Sequence, residues 1–247
     1  MAKRDPNALS FFDHLEELRQ RIIRSIIAIV VAFIACYIVE PHVLNFLIHT
    51  TLKDSSDTLA LLAPLEGFNV KLKLSFIMAL VAASPVIFWQ FWTFVSPGLY
   101  HREKRLILPI VFFSTVSFLA GAAFSLVILP YATRFFQSFA VGGIRNTWSL
   151  SKYMDFLTRM ILAFGLVFEL PIVVFFLARL GLVTPKFLWS KFRYAIVIIL
   201  FISAVLTPGP DVFSQMVMAG PLTILYILSI FLAMLAVKKS TRNKTTA

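Results

Sequence analysis

The chain is short of charge. Asp, Glu, Lys and Arg make up 14% of its 247 residues, against 59% hydrophobic, and a soluble domain of this length needs far more polar surface. That excludes a soluble globular protein and leaves an integral membrane protein. Acid is scarcer still: 12 Asp and Glu face 23 Lys and Arg, a net charge of +11. The positive excess lies in short connectors between apolar runs rather than on one face of a domain, so it carries topology and no nucleic-acid surface is expected. Cysteine occurs once, as Cys36, so no internal disulfide can form and the redox compartment stays open. The four histidines (14, 42, 49 and 101) are scattered near segment ends, and no Cys/His spacing suits a metal; no cofactor is expected. Neither Gly-x-Ser-x-Gly nor His-Glu-x-x-His occurs, and no histidine sits at mid-membrane to activate a serine, so an enzyme is not expected. The short cationic start and small-residue cleavage site of a secretory signal are missing too. About twenty mostly polar residues, including Asp5, Asp13, Glu16 and Glu17, lead instead into an apolar run expected to stay as a membrane span. The lack of an internal repeat speaks against an inverted-repeat transporter.

What is present is a series of apolar segments, read against about 20 apolar residues per bilayer crossing. They cover residues 22–39, 68–94, 106–129, 153–180 and 194–206, with a sixth between 211 and 237 that holds Gly220-Pro221. The expected fold class is an all-α integral membrane protein of six transmembrane helices, the fifth and sixth short. It forms one domain: residues 1–21 a cytoplasmic amphipathic region, 22–237 the helices and loops, 238–247 a cytoplasmic tail. Sixteen of the 23 Lys and Arg fall on one side of this arrangement, leaving Lys53, Lys71, Lys73, Arg134, Arg145, Lys152 and Arg159 opposite. That bias predicts that both termini are cytoplasmic. The longer connections, 40–67 with Glu40, Asp54, Asp57 and Glu66, and 130–152 with Gly142-Gly143 and Trp148, are expected to form an extracytoplasmic cap or simple linkers. The fifth segment, thirteen residues, gives roughly 20 Å of helix. Either the bilayer thins there or a partner covers the mismatch, unless residues 190–193 extend the helix with snorkelling basic side chains.

Three places can carry chemistry. In residues 10–25, Phe11, Leu15, Leu18 and Ile22 form an apolar helical face, and Asp13, Glu17 and Arg21 a polar ridge. This predicts an amphipathic helix at the cytoplasmic interface, running into the first span. Glu17 is then either an exposed i,i+4 partner of Arg21 or an acceptor held at the membrane surface. In "SPGLYHREKRL", residues 96–106, Glu103 stands among Arg102, Lys104 and Arg105, whose charges favour its ionised form. Such a carboxylate can take a guanidinium bidentately. In the fourth span, Glu169 lies near the middle with Pro171 behind it. An ionisable residue at that depth costs about 3 kcal/mol to insert and is functional by default. Gln90 is its expected polar neighbour, and a protonated Glu169 bonded to another helix is the structural alternative.

"HLEELRQR" before the first span, "FWTFVSPGLYHREKRL" after the second, "FGLVFELP" in the fourth and "LTPGPDVFSQ" between the fifth and sixth together resemble TatC, the polytopic subunit of the twin-arginine protein translocase. The resemblance covers essentially the whole chain. It implies a receptor for signal peptides bearing two consecutive arginines, which exports folded proteins using the proton motive force. It also implies TatA- and TatB-type single-span partners and a homo-oligomer in the bilayer of the bacterial cytoplasmic (inner) membrane. Glu17 and Glu103 match the family carboxylates that receive the arginines, and Leu18, Arg19, Phe94, Pro97, Tyr100 and Lys104 match that surface. Thr207 and Gln215 match partner-helix contacts, and Glu169 a membrane glutamate on a concave face. Two departures stand out. The double acid Glu16-Glu17 leaves Glu16 as an alternative to Glu17, and the glycine in "TPGPD" leaves the hairpin register open by one residue. The runner-up function is a proton-coupled small-solute transporter with Glu169 as its relay.

Overall fold

A computed structural model describes residues 11–52, 58–95, 107–137, 147–206 and 212–245. The longest element comes first: α1, Phe11–Leu52, is one unbroken helix of 42 residues, about 63 Å at 1.5 Å per residue. The amphipathic start and the first span are therefore turns of one rod, with no boundary at residue 22. The reading of a span ending at residue 39 is also corrected, because the helix runs on through Pro41. A proline inside a helix forfeits a backbone hydrogen bond. Burial of Leu47, with Val43 and Leu44, in a cluster with Leu74, Leu129 and Leu157 offsets that loss.

α2, Glu66–Val95, packs along α1, and α3, Ile107–Gln137, follows. The expected fourth span is two helices, α4, Leu150–Phe168, and α5, Leu170–Arg179. They break at Glu169, whose N–H turns back to the Leu166 carbonyl at 3.2 Å; Pro171 has no N–H with which to carry the ladder on. A short α6, Pro185–Ser190, is capped by Thr184, whose hydroxyl accepts from the Phe187 N–H at 3.2 Å. α7, Phe192–Leu206, has 15 residues, still only about 22 Å. The last helix corrects an expectation: α8, Val212–Thr245, is 34 residues long, and only its apolar part, Met218–Val237 at 20 residues, is modest. Among the described residues, five helical stretches are long and apolar enough to cross a bilayer, with α7 as a shorter apolar helix.

The two long outer connections are joined. Strands β1, Thr58–Ala60, and β2, Thr147–Ser149, pair in parallel with Leu59 opposite Trp148. Beneath them Glu66 is a hub. Its carboxylate accepts from the Leu62 and Ala63 N–H groups on one oxygen, the latter at 3.2 Å. The other oxygen accepts from the Ser149 hydroxyl and the Ser151 N–H, the latter at 2.7 Å. Four donors that would otherwise be orphaned converge on one side chain, tying the start of α2 to the start of α4. Glu66→Ala is expected to free all four, lowering the thermal midpoint in detergent and removing hydrogen-exchange protection from 58–60 and 147–149. Protection equal to that of the parent protein would refute the hub.

Packing inside is tight at one crossing. A Cβ on Gly121 of α3 would stand 2.4 Å from the Phe164 carbonyl oxygen of α4, so these helices meet backbone to backbone, as small residues permit in membranes. Outside, large apolar side chains such as Ile34, Val127, Phe201 and Phe231 are exposed. They need no protein partner, because lipid is as apolar as they are.

Candidate functional site

Two polar levels mark the α1–α2 pair. At one end Lys71 stands 4.3 Å over the Tyr37 ring, and Lys73 pairs with Asp155 of α4 at 2.6 Å. At the other end Arg21 of α1 donates to the Gln90 side-chain carbonyl of α2 at 3.3 Å. Lys71 and Gln90 are nineteen residues apart on α2, about 28 Å of helix, close to the roughly 30 Å of a hydrocarbon core. The Arg21–Gln90 level is thus a membrane rim.

That rim carries the candidate site. It is the polar ridge of α1, not the apolar face, that turns to α2: Leu15 and Ile22 are exposed, while His14, Glu17 and Arg21 meet Gln90 and Phe94. These positions fall three and four residues apart on α1, and four apart on α2, so each set occupies one face. Arg21 is only 16% exposed and uses three nitrogens. Nε donates to Glu17 Oε1 at 3.0 Å, one Nη joins the same oxygen, and the other Nη reaches Gln90. Glu17 is 31% exposed, and its second oxygen lies 3.8 Å from His14 Nδ1. That is beyond hydrogen-bonding distance. The His14 ring stacks on Phe94 with centroids 4.4 Å apart and planes 14° from parallel.

Glu16 points elsewhere. It is 54% exposed and is bonded by Arg19 at 3.5 Å and Gln20 at 3.4 Å. Of the other residues singled out from sequence, Leu18 is half-buried and Arg19 is exposed. Pro97, Tyr100, Glu103, Lys104 and Thr207 lie outside the described residues. The Gln215 amide donates to the Leu200 carbonyl at 2.9 Å, pinning α8 to α7.

A second polar group lies deeper. Glu169 is buried, and its Oε1 has no partner among the described residues. Its hydrogen-bonding neighbour is Ser114 of α3, whose hydroxyl accepts from the buried Trp92 indole N–H at 3.0 Å. The expectation that Gln90 would be this neighbour is corrected: Gln90 is committed to Arg21, and the serine supplies the contact. Trp92 also packs edge-on against Phe176 at 4.8 Å and is buried, whereas Trp89 and Phe91 are exposed. His14, Trp92 and Ser114 were not singled out from sequence. For His14 a signal existed, its i,i+3 spacing from Glu17, whereas the Ser114 contact depends on how α3 lies against α2.

A cavity of about 520 Å³ between α1, α2, α3 and α4 is lined by apolar side chains such as Val43, Leu74, Leu119 and Ile161. The Cys36 thiol is part of this lining, which is otherwise apolar. Among the described residues, no group of three or more His, Cys, Asp or Glu could hold a metal.

Five helical stretches of spanning length and apolar character among the described residues define a multi-pass helical membrane protein. The family described as TatC, Sec-independent protein translocase protein, matches residues 13–221. The chain belongs to the TatC family. Its relatives include the Sec-independent protein translocase protein TatC of Helicobacter pylori (strain J99), 46% identical over 222 residues, covering 89% of this chain and 87% of the relative. TatCy of Bacillus subtilis (strain 168) is 36% identical over 251 residues, covering 98% and 96%. A solved structure described as the twin arginine translocase receptor TatC superposes with a TM-score of 0.80 at 38% identity, covering 90% of this chain and 99% of that one. Family membership sets aside the small-solute transporter.

Proposed function

We propose that this translocase subunit is the receptor for twin-arginine signal peptides and the scaffold on which folded cargo is exported at the expense of the proton motive force. The observation that carries this reading is Glu17, a carboxylate at the membrane rim with one oxygen held by Arg21 and the other 3.8 Å from His14 Nδ1, too far for a hydrogen bond. A guanidinium binds such a group through charge-assisted hydrogen bonds. The description of the related solved structure as a twin arginine translocase receptor supports it. In this reading Glu17 and Glu103 accept the two arginines on the cytoplasmic face, with both termini on that side. Leu18, Arg19, Phe94, Pro97, Tyr100 and Lys104 shape the surrounding surface. TatA- and TatB-type single-span proteins dock along α7 and α8 near Thr207 and Gln215, and copies of the chain associate in the complex. Glu169, with its unsatisfied oxygen, polarises the membrane groove that admits a partner helix or the apolar part of the signal.

Photocross-linking tests the reading directly. Probes placed at 17, 94 and 103 are expected to capture a twin-arginine precursor and to lose it when the two arginines become lysines. Equal capture of both precursors would overturn the reading.

A further inference from the structure

The second oxygen of Glu17 has a neighbour whose chemistry is close to that of the expected guest. The His14 imidazole is planar and can carry positive charge. It lies flat on Phe94 at 4.4 Å with Nδ1 3.8 Å from Glu17 Oε2. A guanidinium is also planar, also stacks on aromatic faces and also seeks a carboxylate. Arg21 is not available as a mobile stand-in, since three of its nitrogens are bonded and it is largely buried. It holds Glu17 in place through Oε1, which leaves Oε2 as the edge that His14 faces. His14 is different: its side chain is 48% exposed and its contact with Glu17 is longer than a hydrogen bond. A weak, half-exposed occupant can leave.

We propose that His14 is the resting occupant of the arginine-binding edge of Glu17, and that a signal-peptide guanidinium displaces it from between Glu17 and the Phe94 ring. The inference rests on the reading of Glu17 as the arginine acceptor. It assigns His14 a role in setting affinity: the incoming arginine takes over the Phe94 face and the Oε2 edge together, and His14 swings to solvent. Part of the guest's binding free energy is spent on displacing the imidazole. A receptor without the imidazole therefore binds more tightly.

The full-length protein in nanodiscs serves for the test, with a twin-arginine signal peptide as probe. His14→Ala is expected to tighten binding about three- to tenfold, the range of a weak ion pair plus an aromatic stack, whereas Glu17→Gln weakens it. Histidine-selective NMR adds a readout that a purely structural residue would not move. The His14 resonance, assigned by its loss in His14→Ala, is expected to shift to that of a solvated imidazole at saturating peptide. If Glu17→Gln binds like the parent protein, the acceptor reading fails and this inference fails with it. If Glu17→Gln weakens binding while His14→Ala is unchanged or weaker, or if the His14 resonance stays in place, the displacement alone is refuted.

Discussion

Glu17→Gln is expected to weaken binding of a twin-arginine peptide by roughly 10- to 150-fold, the equivalent of about 1.5–3 kcal/mol for a hydrogen bond to a charged group. The amide keeps the length of the side chain, and its carbonyl can still accept from Arg21, so α1 should hold its place against α2. What disappears is the negative charge, leaving Arg21 without its counter-ion beside an approaching cation. The loss should shrink in high salt, because the rim is half exposed and screening already weakens the parent contact. Glu16→Gln is the matched control: Glu16 faces outward to Arg19 and Gln20, and its change is expected to stay within about threefold, as for exposed ion pairs. Titration of fluorescent peptide against nanodisc-embedded protein measures both. Loss on Glu16→Gln with none on Glu17→Gln would transfer the role to the other acid.

Gly121→Ala carries the largest expected effect on stability. The added methyl would meet the Phe164 carbonyl oxygen at 2.4 Å, its carbon at 2.8 Å and the Gly165 Cα at 3.0 Å. All three are backbone atoms, so no rotamer change can make room and α3 must move away from α4. That movement loosens the Phe124–Phe164 and Phe124–Phe168 contacts along the same seam. Overpacking of this kind costs about 1–3 kcal/mol, and the immovable neighbour puts Gly121→Ala at the upper end. Gly165→Ala is the comparison, since its methyl would press on the Phe118 ring at 2.6 Å, and a ring can turn aside. Thermal unfolding in detergent is expected to rank parent, Gly165→Ala and Gly121→Ala in falling order. A Gly121→Ala midpoint equal to that of the parent would show that the two backbones are not in contact.

Much of the architecture was legible from residue order. Long apolar runs must be helices in a bilayer, because no water is present to satisfy backbone polar groups; the α2 and α7 segments lie within a few residues of expectation, while α3 runs past the expected end at 129 through Pro130 to Gln137. The errors came from treating local signals as final. Glu40-Pro41 reads as a helix stop, yet α1 continues because its outer turns have α2 and α4 to pack against. Pro171 signals a disturbance, and in that case the signal held: the helix breaks at Glu169, two residues before the proline. At the site, the ridge of Asp13, Glu17 and Arg21 was visible as a period, but its partner was not. Nothing near residue 21 says that residue 90 will lie across from it, and Gln90 was given to Glu169 instead.

The sequence by itself determined that this chain lies in a membrane and that it is helical throughout its spans. These follow from hydropathy, spacing and charge scarcity, which are properties of short stretches. Only the tertiary structure decided that Arg21 reaches across to Gln90, that His14 stacks on Phe94 beside Glu17, and that Ser114 rather than Gln90 reaches Glu169. Each of these depends on the rotation and axial register of one helix against another. Those are set by packing between residues far apart in the chain, such as Leu47 with Leu157 and Trp92 with Phe176, the sum of many weak contacts that no single stretch encodes.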